Sequence, residues 1–398
     1  MKNAIPRFFK NSMIKIIRRA KKILINSPIS KVEGLLFYAA FLTRKFSINK
    51  SNKAVLIFIA TIDPPGMRLF QIFSHFLYCG YTCYFKISFS RYMQLKRYGK
   101  KATLFKGLKP YNKKIKYSIV ASDDREYLKN TGNESLKIYL NFHVFNHLNN
   151  IANDDIFFPL VPFFKYNCPL LEKKVLSSAL TSKRKIGAFF AGNTNTTTYN
   201  ANITRQLFNV NTRHETFSYI IDKLPQNILY IPKTLDSFLR DIEIGLLENK
   251  IVLLNINNFE IPRKHYFEIL LQTNFYIHMC GVIYPYCHNQ IESMMAGCIP
   301  VTQFSDFFIP PFQHEKDSLL FKPLNDLIDI LLKINSGNYA NIIEIMRKNI
   351  LEYYIRHYSF QSFEKKLIHI TENKLNYTNY FITTGSNNVI RELRPKEK

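Results

Sequence analysis

The stretch Gly281-Val-Ile-Tyr-Pro-Tyr-Cys-His-Asn-Gln-Ile-Glu-Ser-Met-Met-Ala-Gly-Cys-Ile-Pro-Val301 reads as a loop, a short helix and the start of a strand. The helix is expected to open near Cys287 or His288, after Pro285. Ile291, Met294 and Met295 then share one face at three- and four-residue spacing, and Gly297 supplies the stop. Ile299-Pro300-Val301 begins an apolar run. A helix that opens from a loop presents unpaired backbone N–H groups and the positive end of its dipole, a physical reason to look there for a bound phosphate. Glu292, about one turn inside, admits two readings: an acceptor for the hydroxyls of an attached ribose, or an acid that complements the dipole.

The surrounding residues resemble a known family. Phe275-Tyr276-Ile277-His278-Met279-Cys280-Gly281, then Glu292 to Val301, then Asp306 and Pro310-Pro311 are similar to a block of exostosin-like glycosyltransferases and, more loosely, of two-Rossmann-domain (GT-B) sugar transferases. Ile186-Gly187-Ala188-Phe189-Phe190-Ala191-Gly192-Asn193, followed by Arg205, resembles the segment that opens their nucleotide-binding domain. The likeness covers roughly the C-terminal half. It implies an α/β fold of two Rossmann-like domains facing a cleft, and a donor site in the second domain that holds a nucleoside-diphosphate sugar. Glu292, Gly192, Asn193 and Arg205 fall on the matching positions. Relatives often carry Arg three residues before the Glu, where this chain has Asn289, and His288 is the neighbour that would take over the phosphate contact. Relatives also carry a basic residue in the preceding helix, which puts Arg263 or Lys264 near the phosphates.

The chain has 398 residues, enough for two or three domains, and 46% hydrophobic residues can fill substantial cores. Its six cysteines are scattered with no C-x-x-C pair, which suits buried thiols in a reducing compartment and argues against a zinc site. The formal charge of +26 implies an anionic partner: nucleic acid, an anionic membrane surface or a phosphorylated substrate. No acidic residue precedes Glu33 and none lies between Asp63 and Asp123, so the excess is concentrated in the N-terminal half.

In chain order, residues 1–48 form a basic N-terminal segment. Phe9, Met13, Ile16, Ile17, Ala20 and Ile23 recur at helical spacing among Lys and Arg, a pattern suited to an anionic bilayer surface, an organelle-targeting peptide or an ordinary surface helix. Charge interrupts the run too often for a spanning helix. Residues 49–170 are expected to form an N-terminal Rossmann-like acceptor domain headed by the strand Ala54–Ala60. A turn, a helix through Met67, Phe70, Phe73 and Leu77, and a strand Thr82–Ile87 complete a βαβ unit with no G-x-G-x-x-G, so a dinucleotide cofactor is not expected. Asp63 lies on the loop after the first strand, where a carboxylate could deprotonate an acceptor hydroxyl or simply precede a proline turn. Asp123, Asp124 and His143 are other candidates for the base. Between Lys96 and Lys116, nine Lys and Arg residues alternate with Tyr98, Phe105 and Tyr111, a composition that can bind single-stranded nucleic acid, membrane phospholipid or a pyrophosphate-linked acceptor, or that can be a solvated loop.

Residues 171–350 are expected to form the C-terminal nucleotide-sugar-binding domain, with its first strand at Ile186–Phe190 and a ligand-facing loop from Ala191. Arg213 follows, suited either to a diphosphate or to surface solvation. A crossing helix is expected over 351–373 and a poorly ordered tail over 374–398. Together these features lead to a glycosyltransferase moving a sugar from a nucleoside-diphosphate donor to a glycan or polyprenyl-pyrophosphate-linked acceptor, with no cofactor and no metal. It would be cytoplasmic, peripheral on the inner face of the cell membrane, and would build a bacterial surface polysaccharide. The alternative is a non-catalytic protein on an inactive transferase scaffold that binds single-stranded nucleic acid or a membrane surface.

Overall fold

The computed structural model describes residues 28–43, 53–60, 66–95, 103, 107–162, 169–200, 202–283 and 285–383. The basic leader over 1–27, Asp63 with its turn, most of the basic run between 96 and 106, and the tail from 384 lie outside the described residues. The chain divides into two units, 1–135 and 136–398.

Unit 1 contains β1 (Ala54–Phe58), β2 (Thr82–Lys86), β3 (Leu108–Pro110) and β4 (Ile119–Ser122), in the order β3-β2-β1-β4. β1 pairs in parallel with β2 and β4, and Val55, Leu56 and Ile57 are buried, as a run apolar on both faces requires in a covered parallel sheet. The crossover helix Gly66–Tyr78 buries Leu69, Ile72, Phe73 and Phe76, spaced as one helical face. Gly80 ends it in the left-handed region (φ 78°), and Tyr81 N–H reaches back to Phe76 O at 3.1 Å. A further helix spans Pro28–Thr43.

Unit 2 contains β5 (Leu136–Asn141), β6 (Ile156–Phe157), β7 (Ile186–Gly192), β8 (Leu229–Tyr230), β9 (Ile251–Asn255), β10 (Thr273–Ile277), β11 (Ile299–Thr302), β12 (Leu319–Leu320) and β13 (Tyr377–Phe381). Six of these strands form a parallel sheet in the order β12-β11-β10-β7-β9-β8. Gly187 lets β7 lie against the turn before β9, because a Cβ there would stand 2.5 Å from the backbone carbon of Asn249. The fold class is thus α/β with parallel sheets, as expected.

Two expectations are corrected. The tail was expected to be unordered from Lys374, yet Tyr377–Phe381 is a strand that lies between β5 and β6, pairing in parallel with both. Alternating polar and aromatic residues hide a strand whose Tyr380 and Phe381 are buried. The same pairing ties residues 136–157 to the end of the chain. The single crossing helix is two helices, Ile343–His357 and Phe360–Glu372, parted by Tyr358 and the N-cap Ser359.

Candidate functional site

β7 is the first strand of the six-stranded sheet in chain order. The chain then adds β9 and β8 on one side and β10, β11 and β12 on the other, so the winding reverses between β7 and β10. Open parallel sheets bind ligands outside the carboxyl ends of their strands at such a reversal. The segments leaving those two ends are Asn193-Thr194 after β7 and the stretch from His278 after β10, which leads into the helix His288–Met295.

That helix starts where the sequence places it. Cys287 is its N-cap in extended geometry, and its N–H donates to Gln290 Oε1 at 3.0 Å while Gln290 Nε2 donates to Pro285 O at 2.9 Å. Gly297 closes it in the left-handed region, with Cys298 N–H bonded to Ser293 O at 2.9 Å. Asn289 turns its amide toward the sheet: Nδ2 donates to Ala191 O at 2.7 Å and to the Tyr276 hydroxyl at 3.2 Å, and Oδ1 accepts from Cys287 Sγ at 3.0 Å. As placed, Asn289 fastens the helix start to the end of β7. His288 is half-buried, and Glu292 falls on the same helical face one turn on and is 3% exposed. Behind them, His278 Nε2 meets Ser293 Oγ at 3.2 Å, and burial pushes the imidazole down to about 3, so the ring is neutral at physiological pH.

Arg213 is neither exposed nor directed at a vacant phosphate position. It opens the helix Arg213–Lys223, is 4% exposed, and brackets both sides of the reversal. Nε donates to Cys280 O at 2.8 Å, Nη1 to Asn193 O at 3.2 Å and Nη2 to Cys287 Sγ at 3.1 Å, with the Tyr199 ring 4.2 Å from the guanidinium carbon. Among the described residues no carboxylate pairs with it, so its charge stays uncompensated beside the positive end of the helix.

Gly192, the last residue of β7, is buried, and a Cβ there would lie 2.7 Å from Phe190 Cζ and 3.2 Å from Arg213 Nη1. Asn193 Oδ1 accepts from Asn195 N–H at 2.9 Å and from Asn257 Nδ2 at 3.0 Å, which joins the loops after β7 and β9. Arg205 is exposed on the helix Asn202–Phe208 and pairs with Glu215 at 2.7 Å. Arg263 and the exposed Lys264 open the helix that runs into β10, and a crossover helix antiparallel to its strands starts at their carboxyl edge. Gly192, Asn193, His288, Asn289 and Glu292 therefore gather at one reversal, while Arg205 stands in a surface ion pair.

In unit 1 the winding reverses between β1 and β4. Ala60 N–H donates to Asp123 Oδ1 at 2.5 Å and Ala60 O accepts from Arg91 Nη1 at 2.6 Å, so two side chains fix the exit of β1 toward Asp63. Asp124 caps the helix Arg125–Lys129 by accepting from Tyr127 N–H at 3.0 Å, a structural task. His143 N–H donates to Asn141 Oδ1 at 2.9 Å in unit 2. Among the described residues no cluster of His, Cys, Asp and Glu could hold a metal ion, and no helix is long and apolar enough to cross a membrane.

Sequence reasoning missed the bracket made by Arg213, the Tyr276 hydroxyl beneath Asn289, and the amides of Asn255 and Asn257 at the end of β9. The run Asn255-Ile256-Asn257-Asn258 after an apolar strand was the available signal for the last.

No family model matches the chain, and no curated protein matches it. Among solved structures it is similar to a glycosyltransferase from Rickettsia africae, with 12% identity and a TM-score of 0.45 over 82% of this chain and 99% of that one. It is similar to HepE of Anabaena in complex with UDP, with 10% identity and a TM-score of 0.43 over 80% of this chain and 100% of that one. A third is sucrose-phosphate synthase of Thermosynechococcus elongatus, with 10% identity and a TM-score of 0.40 over 81% and 99%.

Proposed function

We propose that the chain is a glycosyltransferase whose second unit binds a nucleoside-diphosphate sugar at the reversal between β7 and β10. One observation carries the reading: the N-terminus of the helix His288–Met295 is fastened to the carboxyl end of β7, with Glu292 one turn inside. The diphosphate would sit on the first-turn N–H groups, attracted by the dipole and by the uncompensated Arg213 charge behind them. Glu292 would accept from the ribose hydroxyls. Gly192 and Asn193 would border the phosphates, with Lys264 and Arg263 at the same sheet edge.

In the proposed reaction the bond between the anomeric carbon and the diphosphate oxygen breaks, and its electron pair leaves with the diphosphate. An acceptor hydroxyl oxygen bonds to that carbon, and its proton passes to a carboxylate of the first unit, for which Asp63 is the candidate. Fixed donors that meet the charge growing on the leaving group stabilise the transition state without a metal or other cofactor. The basic first unit would suit a glycan carried on a polyprenyl pyrophosphate at the inner face of the cell membrane, and surface polysaccharide assembly is the role proposed with it.

The test is thermal stabilisation of the full chain by a panel of nucleoside diphosphates. A ligand present at a hundredfold over its Kd adds about 2.7 kcal/mol to stability. One nucleotide should raise Tm in the wild type, and Glu292→Ala should lose that shift while still melting in one cooperative transition. Absence of a shift with every nucleotide, beside salt-sensitive binding of single-stranded RNA, would sink the proposal in favour of the scaffold alternative.

A further inference from the structure

A second recess lies along the same sheet edge, on the opposite side of β7. It is an open groove of about 650 Å3 between the helix Arg213–Lys223 and the segments that follow β7 and β9. That volume falls within the range of about 300–1,000 Å3 usual for small-molecule sites. In a chain with a net charge of +26 its lining contains no Lys or Arg among the described residues. Phosphate, carboxylate and nucleic-acid backbone are poor occupants of a groove without a cation.

Its polar lining is amides and hydroxyls with one imidazole, His214, and one carboxylate, Asp222, which pairs with Lys223 at 3.0 Å. Asn195 and Asn255 spend their carbonyl oxygens on local backbone N–H groups, Thr197 N at 2.9 Å and Asn257 N at 3.1 Å. Among the described residues their Nδ2 groups make no hydrogen bond, so each offers two donors. Asn257 has the converse arrangement, giving Nδ2 to Asn193 and leaving its carbonyl oxygen as an acceptor. His214 Nδ1 stands 3.2 Å from Thr194 O, and because a carbonyl only accepts, Nδ1 carries the hydrogen and Nε2 remains for a ligand. Phe217 and Ile221 supply an apolar wall, and Ser218 is exposed on the same helix.

Amide donors beside amide acceptors match vicinal hydroxyls, each of which donates once and accepts, while an apolar wall matches the C–H face of a pyranose ring. We propose that this groove binds a neutral oligosaccharide, a stretch of the acceptor glycan away from the reacting hydroxyl. The inference deepens the transferase reading and rests on it for the identity of the glycan as acceptor. Its site shares no side chain with the nucleotide crevice except through Asn193, which contacts both Arg213 and Asn257.

Saturation-transfer difference NMR on the full chain with short neutral gluco-, manno- and galacto-oligosaccharides tests it, in the presence of saturating UDP. At least one of them should receive saturation, and should still do so in Glu292→Ala. Ser218→Trp and Thr196→Trp fill the groove from exposed positions on its two sides. Each should weaken oligosaccharide binding about tenfold or more while leaving Tm and the nucleotide-induced shift unchanged. No saturation transfer to any oligosaccharide overturns the proposal, as does transfer that survives both tryptophans or that UDP abolishes. Oligosaccharide binding lost in the tryptophan variants beside a failed nucleotide panel would retain the groove as a glycan site and reject the transferase reading instead.

Discussion

Glu172→Gln should remove a pH dependence of stability that the wild-type chain carries between about pH 4.5 and 7. Glu172 sits on the helix Pro169–Ala179, 8% exposed, and accepts from the Tyr354 hydroxyl at 2.9 Å and from Phe360 N–H at 3.2 Å. Among the described residues no Lys or Arg pairs with it. Burial pushes its carboxyl up from 4.5 to about 7, and the two donors, one of them at the start of the helix Phe360–Glu372, offset only part of that. Between those values the folded chain holds a proton that the unfolded chain has lost. Stability is therefore fullest below about 4.5 and falls as pH rises through about 7. A separation of about 2.5 units, at 1.36 kcal/mol each, corresponds to roughly 3 kcal/mol. Gln keeps an oxygen for both donors and carries no charge, so the variant should match the wild type at pH 4.5 and exceed it by up to about 3 kcal/mol at pH 8. Urea unfolding followed by far-ultraviolet circular dichroism suits a chain without tryptophan. A difference between the two proteins that does not change with pH would refute the argument. So would a wild type more stable than the variant at pH 8, since the helix start would then be holding an ionised carboxylate at a net gain.

Arg184 ties the ends of three helices together, donating to Ala296 O at 3.1 Å, to Leu270 O at 3.1 Å and to Ala179 O, and also to Thr273 O at 2.9 Å. Burial lowers its guanidinium to about 10, still charged at neutral pH. Arg184→Met strands several buried carbonyls at about 1–3 kcal/mol each, partly offset by removing a buried charge, so a loss of about 3 kcal/mol is expected in the urea midpoint, with Arg184→Lys in between. Arg213→Met should cost a similar amount for its two carbonyls and the Tyr199 face, and should also abolish the nucleotide-induced Tm shift because the loops after β7 and β10 lose their common anchor. A variant that loses stability yet keeps the full nucleotide shift would show that the anchor has no part in the site.

The sequence discloses most where the signal is local. The helix at 288–295 is bounded by Pro285 and Gly297, and β1 is an unbroken apolar run, so both are readable from a dozen residues. β13 escapes because its partners are Leu136–Asn141 and Ile156–Phe157, more than 200 positions earlier, and nothing in Tyr377-Thr-Asn-Tyr-Phe381 announces them. Arg184 and Arg213 escape for a related reason. In sequence a buried arginine looks like a solvated one, and its burial depends on carbonyls that helix ends and strand ends bring together from distant segments. Asn289 is the converse case: its residue type says nothing of a partner, and its contacts with Ala191 O at 2.7 Å, the Tyr276 hydroxyl and Cys287 Sγ give it a task, holding the helix start in place.

The distribution of charge along one sheet edge follows from those two kinds of residue. At the reversal between β7 and β10 a helix start and a guanidinium held by carbonyls and a thiol both present positive potential, and among the described residues no carboxylate pairs with that guanidinium. An anion entering there regains on the protein what it loses in hydration, which a neutral ligand has no need of. One strand-width away, between β7 and β9, the described lining has amides, hydroxyls, His214 and one acid, Asp222, with no Lys or Arg, which on the proposal above favours a neutral ligand. The two recesses meet at Asn193, whose carbonyl oxygen accepts from Arg213 and whose side-chain oxygen accepts from Asn257. A single short loop after β7 thus borders both the proposed nucleotide crevice and the proposed glycan groove, the arrangement a transferase would use to hold donor phosphate and glycan chain at once.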